Sequence, residues 1–318
     1  MCATVGVPQA LLYYKYFPLW STFLDGLGAE VVVSGATTKK MINTGTSLGE
    51  NELCLPVKVF FGHLVDLKDK ADALFVPRVV SVEKRAYTCP KFLGLPDLAR
   101  SVDGSLPDIL DPVFNSRLSR RKYYEAIFDF GKTFTRNKVR IIRAWSAGLT
   151  AQKAYERRLE AGLTPMEAMA GEAAAPAGGS LRIGIAGHPY NIYDPYTSLN
   201  LIKKLRQWDI DVVTTEMLPA KVLHKEAGRL PKRLFWSYEQ EVVGSVFHWL
   251  NTKSVDGIIY VLSFACGPDS LVQALLESET RRKGGMPLMS LVVDEHSGEA
   301  GMITRVEAFV DMLRWRRQ

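Results

Sequence analysis

Three of the four cysteines in the 318-residue chain share one local setting that suits thiolate chemistry. Cys54, Cys89 and Cys266 begin the segments CLP, CP and CGP, so a proline follows each within two residues and a helix-like stretch comes next. Proline is favoured in the first turn of a helix, because its missing N–H costs nothing there. The pattern predicts each sulfur at or near a helix N-terminus, where free N–H groups and the helix dipole favour the thiolate, the form that binds metal.

The intervals between these cysteines do not identify a metal. Spacings of 35 and 177 residues match no zinc-finger, CxxC or ferredoxin pattern. Three sulfurs suit an iron–sulfur cluster with one open iron position, or zinc with one open position. The alternative is that the thiols are small buried core residues. Cys2 lies in a terminal segment outside the pattern and is not expected to be a ligand.

Two further segments place acid–base side chains after predicted strands. GHPYNIYDPY contains His188 and Asn191, and VVDEHSGEAG contains Glu295 and His296. Because ligands of open α/β sheets bind outside the carboxyl ends of the strands, these four residues are candidate catalytic, proton-transfer or ligand-contacting groups. The alternative for both segments is an ordinary turn built from proline, asparagine, aspartate and glycine.

The elements that must position these residues alternate between strand and helix. The first half predicts a strand at 5–7, a helix at 11–27 and a strand at 31–33, then a helix at 55–70 and a strand at 73–76. The second half repeats this plan from a strand at 181–186. The sequence therefore predicts an α/β protein with two flavodoxin-like or Rossmann-like domains and mainly parallel sheets, joined by a helical segment.

The predicted boundaries are an N-terminal α/β domain at 1–111, a helical segment and linker at 112–180, and a C-terminal α/β domain at 181–318. The segment 112–169 lacks clear strand patterns, and GEAAAPAGGS at 171–180 is typical of a flexible linker.

Composition limits the class of protein. The net charge of +6 and the pI near 9.0 admit anionic partners, but the short basic runs do not form the dense block typical of nucleic-acid binding. No apolar run reaches the roughly 18 residues that span a bilayer, and the N-terminus does not resemble a signal peptide. Four cysteines do not make a disulfide scaffold, so a cytoplasmic location is expected.

Several long segments resemble the acyl-CoA dehydratase activase-related proteins, which are similar to the iron–sulfur subunits of 2-hydroxyacyl-CoA dehydratases and benzoyl-CoA reductases. These segments are GVPQALLYYKYFPLW, CLPVKVFFGHLVDLKDKAD, PRVVSVEKRAYTCPKFLGLPD, GHPYNIYDPY, CGPDS and DEHSGEAGMITRVEAFVDML. The resemblance spans nearly the whole chain, except for the helical middle and the linker. One position departs from the pattern: the family usually opens Gly-x-Pro-Arg, and this chain has Gln9 in place of the arginine. If the arginine of the family contacts an anionic ligand, this chain lacks that contact.

The resemblance implies a [4Fe–4S] cluster between two flavodoxin-like domains, with Cys54, Cys89 and Cys266 as its ligands. It also implies an ATP-dependent activase as a separate electron donor, an acyl-CoA substrate and a homo- or heterodimer. Three hypotheses follow from these expectations. The chain is a dehydratase-like or reductase-like redox component, a non-catalytic cluster-carrying accessory or assembly partner, or a two-domain ligand-binding protein with structural thiols.

Overall fold

The computed structural model describes residues 3–102, 104–173 and 178–317, and the chain divides into two compact units. Unit 1 comprises Met1–Asn51, Pro56–Arg158 and Phe235–Ser237. Unit 2 comprises Glu52–Leu55, Leu159–Leu234 and Tyr238–Gln318. The predicted helical segment is thus shared between the units, and residues 174–177 of the predicted linker lie outside the described residues.

Unit 1 is built on a four-stranded parallel sheet with the strand order β2-β1-β3-β5, beside a small parallel pair formed by β4 and β6. This is the flavodoxin-like order for the first four strands of such a sheet. Its elements are β1 Thr4–Val7, α1 Tyr13–Leu27, β2 Glu30–Val33, α2 Lys39–Leu48, α3 Leu55–Leu67, β3 Ala73–Phe75, β4 Arg78–Ser81, α4 Pro90–Leu93, α5 Leu95–Val102, β5 Asp108–Leu110, β6 Val113–Asn115, α6 Arg120–Gly131 and α7 Lys138–Glu160.

Unit 2 has a second parallel four-stranded sheet of the same order, read β8-β7-β9-β10. The β9 strand is buried along its whole length, as expected for a strand that helices cover on both faces. The elements are α8 Pro165–Ala170, β7 Leu181–Gly187, α9 Pro189–Ile192, α10 Leu201–Gln207, β8 Ile210–Thr214, a 3₁₀ turn Thr215–Met217, α11 Ala220–Ala227, α12 Ser237–Thr252, β9 Gly257–Ser263, α13 Gly267–Lys283, β10 Leu288–Val293 and α14 Glu299–Arg317.

The predicted fold class is confirmed: the chain is an α/β protein with two units and parallel sheets. The strands β1, β2, β3 and β7 each lie within one residue of their predicted positions. The prediction that 112–169 lacks strands was wrong, because β6 occupies Val113–Asn115. Three residues are too few to display an alternating pattern, and this strand forms because β4 is available to pair with it.

The core of unit 2 fixes the position of its central strands. Trp249 of α12 lies flat against β7, where a side chain at Gly184 would come within 2.7 Å of the indole ring. Val243 and Val246 of the same helix, together with Ile258 on β9, belong to this buried cluster. Because α12 packs against both β7 and β9, the loops that follow these two strands keep a fixed position relative to each other.

Helices α2 and α3 cross closely in unit 1, and glycines make that crossing possible. A Cβ at Gly62 of α3 would overlap the carbonyl oxygen of Met41, and one at Gly45 of α2 would overlap that of Lys58.

The variant Gly62→Ala is expected to lower the free energy of unfolding of unit 1 by about 2 kcal/mol, since the overlap is with backbone that cannot move aside. Urea denaturation followed by hydrogen exchange in α3 measures the change. Gly301→Ala in α14 is the matched control, because a Cβ there meets no atom within 4 Å. An unchanged Gly62→Ala variant would contradict the close crossing.

Among the described residues, no helix is both long enough and apolar enough to cross a bilayer.

Candidate functional site

The three cysteines of the shared setting all lie directly before the first residue of a helix, as the sequence predicts. Cys54 precedes α3, Cys89 is the N-cap of α4 and Cys266 is the N-cap of α13. Each carries a half-buried thiol. The helix after Cys89 has only four residues, so its dipole is weaker than those of the other two helices. The helix dipole by itself therefore favours a thiolate more strongly at Cys54 and Cys266 than at Cys89.

A strained turn presents Cys266. The strand β9 ends at Ser263, and Ala265 then adopts a left-handed conformation with φ of 61°, which is uncommon for a residue with a side chain. Pro268 stands in the first helical turn, and the Ser270 hydroxyl donates to the Cys266 carbonyl oxygen at 2.8 Å. Strain of this kind persists only where the surroundings impose it, and it is concentrated at functional sites.

The centre of the candidate site is a buried network of charged side chains in unit 2. His188, the N-cap of α9, donates from Nε2 to Oδ1 of Asp269 at 3.1 Å, and its Nε2 lies 3.7 Å from Oε1 of Glu239. The Tyr260 hydroxyl on β9 donates to the same Asp269 oxygen at 2.8 Å. All four side chains are buried. We name His188, Glu239, Tyr260 and Asp269 the buried network.

This network occupies the place where doubly wound folds bind ligands. The strand order of unit 2 reverses between β7 and β9, and a crevice at such a switch point opens at the carboxyl ends of the strands. His188 directly follows β7, while Cys266 and Asp269 follow β9. Gly187 ends β7 and connects it to His188. It has a φ of 147°, and a Cβ at this position would overlap the Val261 carbonyl oxygen, so the position requires glycine.

Burial and opposite charge together set the protonation of the network. Burial by itself raises the pKa of Asp269, but the charge of His188 and hydrogen bonds from His188, Tyr260 and Cys266 lower that pKa below its ordinary value. Burial by itself lowers the pKa of His188, and the two carboxyl groups of Asp269 and Glu239 reverse this and raise it to about 9. The network therefore contains a charged imidazolium paired with an ionised Asp269 at neutral pH.

Glu239 is the member that changes its charge near neutral pH. Burial raises the pKa of Glu239 to about 7, and the charge of Asp269 adds to this rise while His188 opposes it. The network can therefore hold or release a proton near neutral pH inside unit 2. Asp269 connects the network to Cys266, since a hydrogen bond from the protonated Cys266 thiol contributes to the lowered pKa of Asp269. Cys266 would have to release this proton in order to bind metal.

Several polar atoms in this region have no hydrogen-bond partner within the part of the chain that the structure describes. They are Nδ2 of Asn191, Oε2 of Glu239 and Oδ2 of Asp269. The other amide atom of Asn191, Oδ1, accepts from the Ser263 hydroxyl at 2.7 Å and joins α9 to the end of β9. Buried polar atoms that lack a partner are costly, so their concentration here supports a functional role.

The predicted residues Glu295 and His296 lie on a separate turn after β10. Asp294 organises that turn: its Oδ1 accepts from the His296 backbone N–H at 2.9 Å and from the Ser297 hydroxyl at 2.8 Å. Glu295 is half-buried and His296 is exposed. Their proposed acid–base or ligand-contacting role stays a prediction.

Glu239, Tyr260 and Asp269 were not predicted. Asp269 lies within the CGPDS segment, three residues after Cys266, and a carboxylate in the first helical turn is a recognisable signal because the helix dipole favours it. Glu239 lies on α12, and Tyr260 lies among the apolar residues of β9, so neither stands out locally. Only the tertiary structure brings these three side chains to His188.

Unit 1 contains a second buried histidine whose ring is fully satisfied. Nδ1 of His63 on α3 lies 2.7 Å from the Ser34 hydroxyl, and Nε2 lies 2.9 Å from the Thr37 hydroxyl. The backbone N–H of Gln9, the position that departs from the family pattern, donates to the same Ser34 oxygen at 2.8 Å. These bonds give His63 a structural role in joining α3 to the ends of β1 and β2.

Within the described ranges, no group of three or more His, Cys, Asp or Glu side chains is placed to hold a metal ion. Cys89 belongs to unit 1, whereas Cys54 and Cys266 belong to unit 2, and Cys2 lies outside the described residues.

The comparison with curated proteins returned no match. Among solved structures, the chain is similar to a periplasmic sugar-binding protein from Pseudomonas fluorescens, with 11% identity and a TM-score of 0.22 over 92% of this chain and 86% of the other. A TM-score of this size does not establish a common fold.

A family profile does match. The family described as the CoA enzyme activase uncharacterised domain (DUF2229) covers residues 4–218, about two thirds of the chain. The matched span contains Cys54, Cys89, His188 and Asn191, and Cys266 lies beyond it. This match fits the resemblance of the sequence to activase-related proteins, and the chain belongs to the CoA enzyme activase uncharacterised domain family.

Proposed function

We propose that the chain is an iron–sulfur component of a CoA enzyme activase system, which receives a low-potential electron from an ATP-dependent activase. The observation that carries the proposal is the shared setting of Cys54, Cys89 and Cys266, each a half-buried thiol directly before a helix. Membership of the family supports the link to an activase.

The donor set fits a [4Fe–4S] cluster. Such clusters are held by cysteine thiolates, and three thiolates leave one iron position open. Metal binding is coupled to folding, so the free energy of binding a cluster would help to bring these thiolates together. When bound, the cluster would supply one-electron transfer, and Cys54, Cys89 and Cys266 would hold it.

The burial of His188 and Asn191 favours a cluster-carrying accessory over an enzyme that acts on acyl-CoA. Both side chains are almost completely buried, so neither reaches a substrate in the described conformation. His188 is instead engaged with Asp269. Dehydration or reduction of an acyl-CoA thioester is the second candidate function. His188 or Asn191 would have to become accessible to act in it, whereas His296 is already exposed.

After anaerobic expression with iron and sulfide, about four irons and four sulfides per chain are expected. Cys54→Ser, Cys89→Ser and Cys266→Ser should each lose most of this iron and the visible absorbance of the cluster. Cys2→Ser is the matched control and should keep both. Thermal unfolding of each variant without iron separates a lost ligand from a lost fold.

A colourless wild-type protein without iron would overturn the proposal, as would loss of iron in Cys2→Ser alone. If the cluster binds, assays with 2-hydroxyacyl-CoA compounds and a reduced activase separate the two candidate functions. Turnover that disappears in His188→Gln would favour the enzyme, and electron uptake without turnover would favour the accessory.

A further inference from the structure

Helices α6 and α7 of unit 1 form an open groove with an apolar floor. Its volume is about 710 Å³, and its floor consists of Ile127, Ile141 and Trp145, all buried. We name this the α6–α7 groove. None of its lining residues is one of the three cysteines or a member of the buried network, so an inference about it does not depend on the proposed iron–sulfur function.

The walls of the groove leave large apolar side chains exposed to solvent. Tyr124 of α6 is 50% exposed, and on α7 Ile142 is 63% and Leu149 is 36% exposed. Small-molecule pockets enclose 70–90% of their ligand. Walls this exposed suit instead the side of an extended partner that lies along the two helices. Contiguous apolar surface bounded by charged residues is typical of an interaction site.

The segment that forms the groove carries the positive charge of the protein. Residues 117–146 contain nine Lys and Arg and two Asp and Glu, which gives a net charge of +7, against +6 for the whole chain. The two acidic residues are already paired, Glu125 with Arg121 at 2.7 Å and Asp129 with Lys132 at 2.8 Å.

The remaining basic residues of this segment are exposed. Within the described part of the chain, five of them have no acidic side chain within ion-pair distance: Arg120, Lys122, Arg136, Lys138 and Arg143. None of the five lines the groove itself. Two lie in the first turn of α6, one lies between the helices, and two lie in the first two turns of α7: Arg120 and Lys122, Arg136, and Lys138 and Arg143. The groove therefore has an apolar floor, its charged lining residues form two ion pairs, and unpaired basic residues flank it along the chain.

We propose that the α6–α7 groove binds an amphipathic helix of a partner protein, with an apolar stripe facing the floor and acidic residues facing the flanking unpaired basic residues of α6 and α7. Charge complementarity determines this choice of occupant. A second copy of this chain is disfavoured, because two faces of net charge +7 would repel each other. A flat bilayer is disfavoured, because the apolar residues line a concave surface that a helical ridge fits better.

The probe for this proposal is a fluorescein-labelled amphipathic peptide with leucines at positions i, i+3, i+4 and i+7 and glutamates on the opposite face. Fluorescence anisotropy should give a Kd of about 1–10 µM at low salt. Raising the salt from about 50 mM to about 500 mM should weaken binding severalfold, because the attracting charges are exposed. A peptide with the same leucines and lysines in place of the glutamates should bind at least tenfold more weakly.

Two variants locate the binding. Ile142→Glu should reduce affinity at least tenfold, and Trp315→Glu, a change at an exposed apolar residue of α14, is the matched control that should not. Arg120→Glu combined with Lys122→Glu should weaken binding by a similar factor, whereas Lys153→Glu, farther along α7, should have little effect. Circular dichroism confirms that each variant folds.

Equal binding of the acidic and basic peptides, or unchanged binding by Ile142→Glu, would overturn the proposal. Vesicles of phosphatidylcholine with phosphatidylserine, and palmitoyl-CoA, are measured in parallel. If Ile142→Glu abolishes binding to either of these while the acidic peptide does not bind the wild type, the groove is a lipid or acyl-CoA site and the helical partner is wrong.

Discussion

Replacement of Asp269 by asparagine is expected to lower the free energy of unfolding of unit 2 by about 3–5 kcal/mol. Asparagine has nearly the same shape as aspartate, so the loss does not come from a cavity. It comes from His188, whose imidazolium is buried and pairs with Asp269 Oδ1 at 3.1 Å. Removing one partner of a buried pair is more costly than losing both, because the other loses its nearest counter-charge; Glu239 Oε1, 3.7 Å from His188 Nε2, compensates only in part.

The double variant His188→Gln with Asp269→Asn tests this cause directly. With both charges removed, the loss of stability should be at least about 2 kcal/mol smaller than the sum of the two single changes, because the buried unpaired charge no longer exists. Glutamine and asparagine can still hydrogen-bond to each other and to the Tyr260 hydroxyl.

Urea denaturation monitored by hydrogen exchange in β9 reports on unit 2 alone, since this strand lies at the centre of its sheet. Asp311→Asn on α14 is the matched control: Asp311 forms an exposed i,i+3 pair with Arg314, and its loss should change stability by less than about 0.5 kcal/mol. If Asp269→Asn costs less than about 1 kcal/mol, the buried network is not an ion pair.

The fold could be predicted because it depends on patterns that are local in sequence. Apolar periodicity ended by glycine marks the end of α1 and the start of β2. The same kind of pattern shows that strand and helix alternate again from β7 onward. The helix starts after Cys54, Cys89 and Cys266 were predictable for the same reason, because proline in the first turn is a local signal. The short strand β6 was missed because pairing with β4 produces it.

The candidate site could be predicted only in part. His188 and Asn191 follow a strand that the sequence identifies, so their place at the carboxyl end of the sheet was foreseeable. Their burial was not, because it depends on α12 and α13 closing over them. Glu239 comes from a helix 51 residues farther along the chain than His188, and no local pattern links the two. The raised pKa of Glu239 results from tertiary packing alone.

The variant Glu239→Gln is expected to remove a large part of the pH dependence of unit 2. The pKa of Glu239 rises from 4.5 to about 7 on folding, so the folded protein binds its proton more tightly than the unfolded chain does. Stability from this group is complete below pH 4.5 and is lost as the pH rises towards 7. A rise of this size corresponds to about 3 kcal/mol.

His188 also contributes stability that is lost as the pH rises, but over a higher pH range than Glu239. Its pKa rises from 6.5 to about 9 on folding, so its contribution is complete below pH 6.5 and is lost as the pH rises through 9. Wild-type unit 2 should therefore lose stability across the whole range from pH 4.5 to pH 9. Glu239→Gln should flatten the first part of this loss and keep most of the second, because Asp269 still pairs with His188.

Urea denaturation of wild type and Glu239→Gln at a series of pH values tests this prediction. Subtracting the two plots of unfolding free energy against pH isolates the contribution of the Glu239 carboxyl. The difference should grow by about 3 kcal/mol between pH 4.5 and pH 7 and stay level above that. Glu307→Gln, an exposed change on α14, is the control and should give a flat difference. If the difference in unfolding free energy between wild type and Glu239→Gln also does not change with pH, Glu239 is ionised in the folded protein throughout this range. Its carboxyl would then not be the group that holds and releases a proton in the buried network.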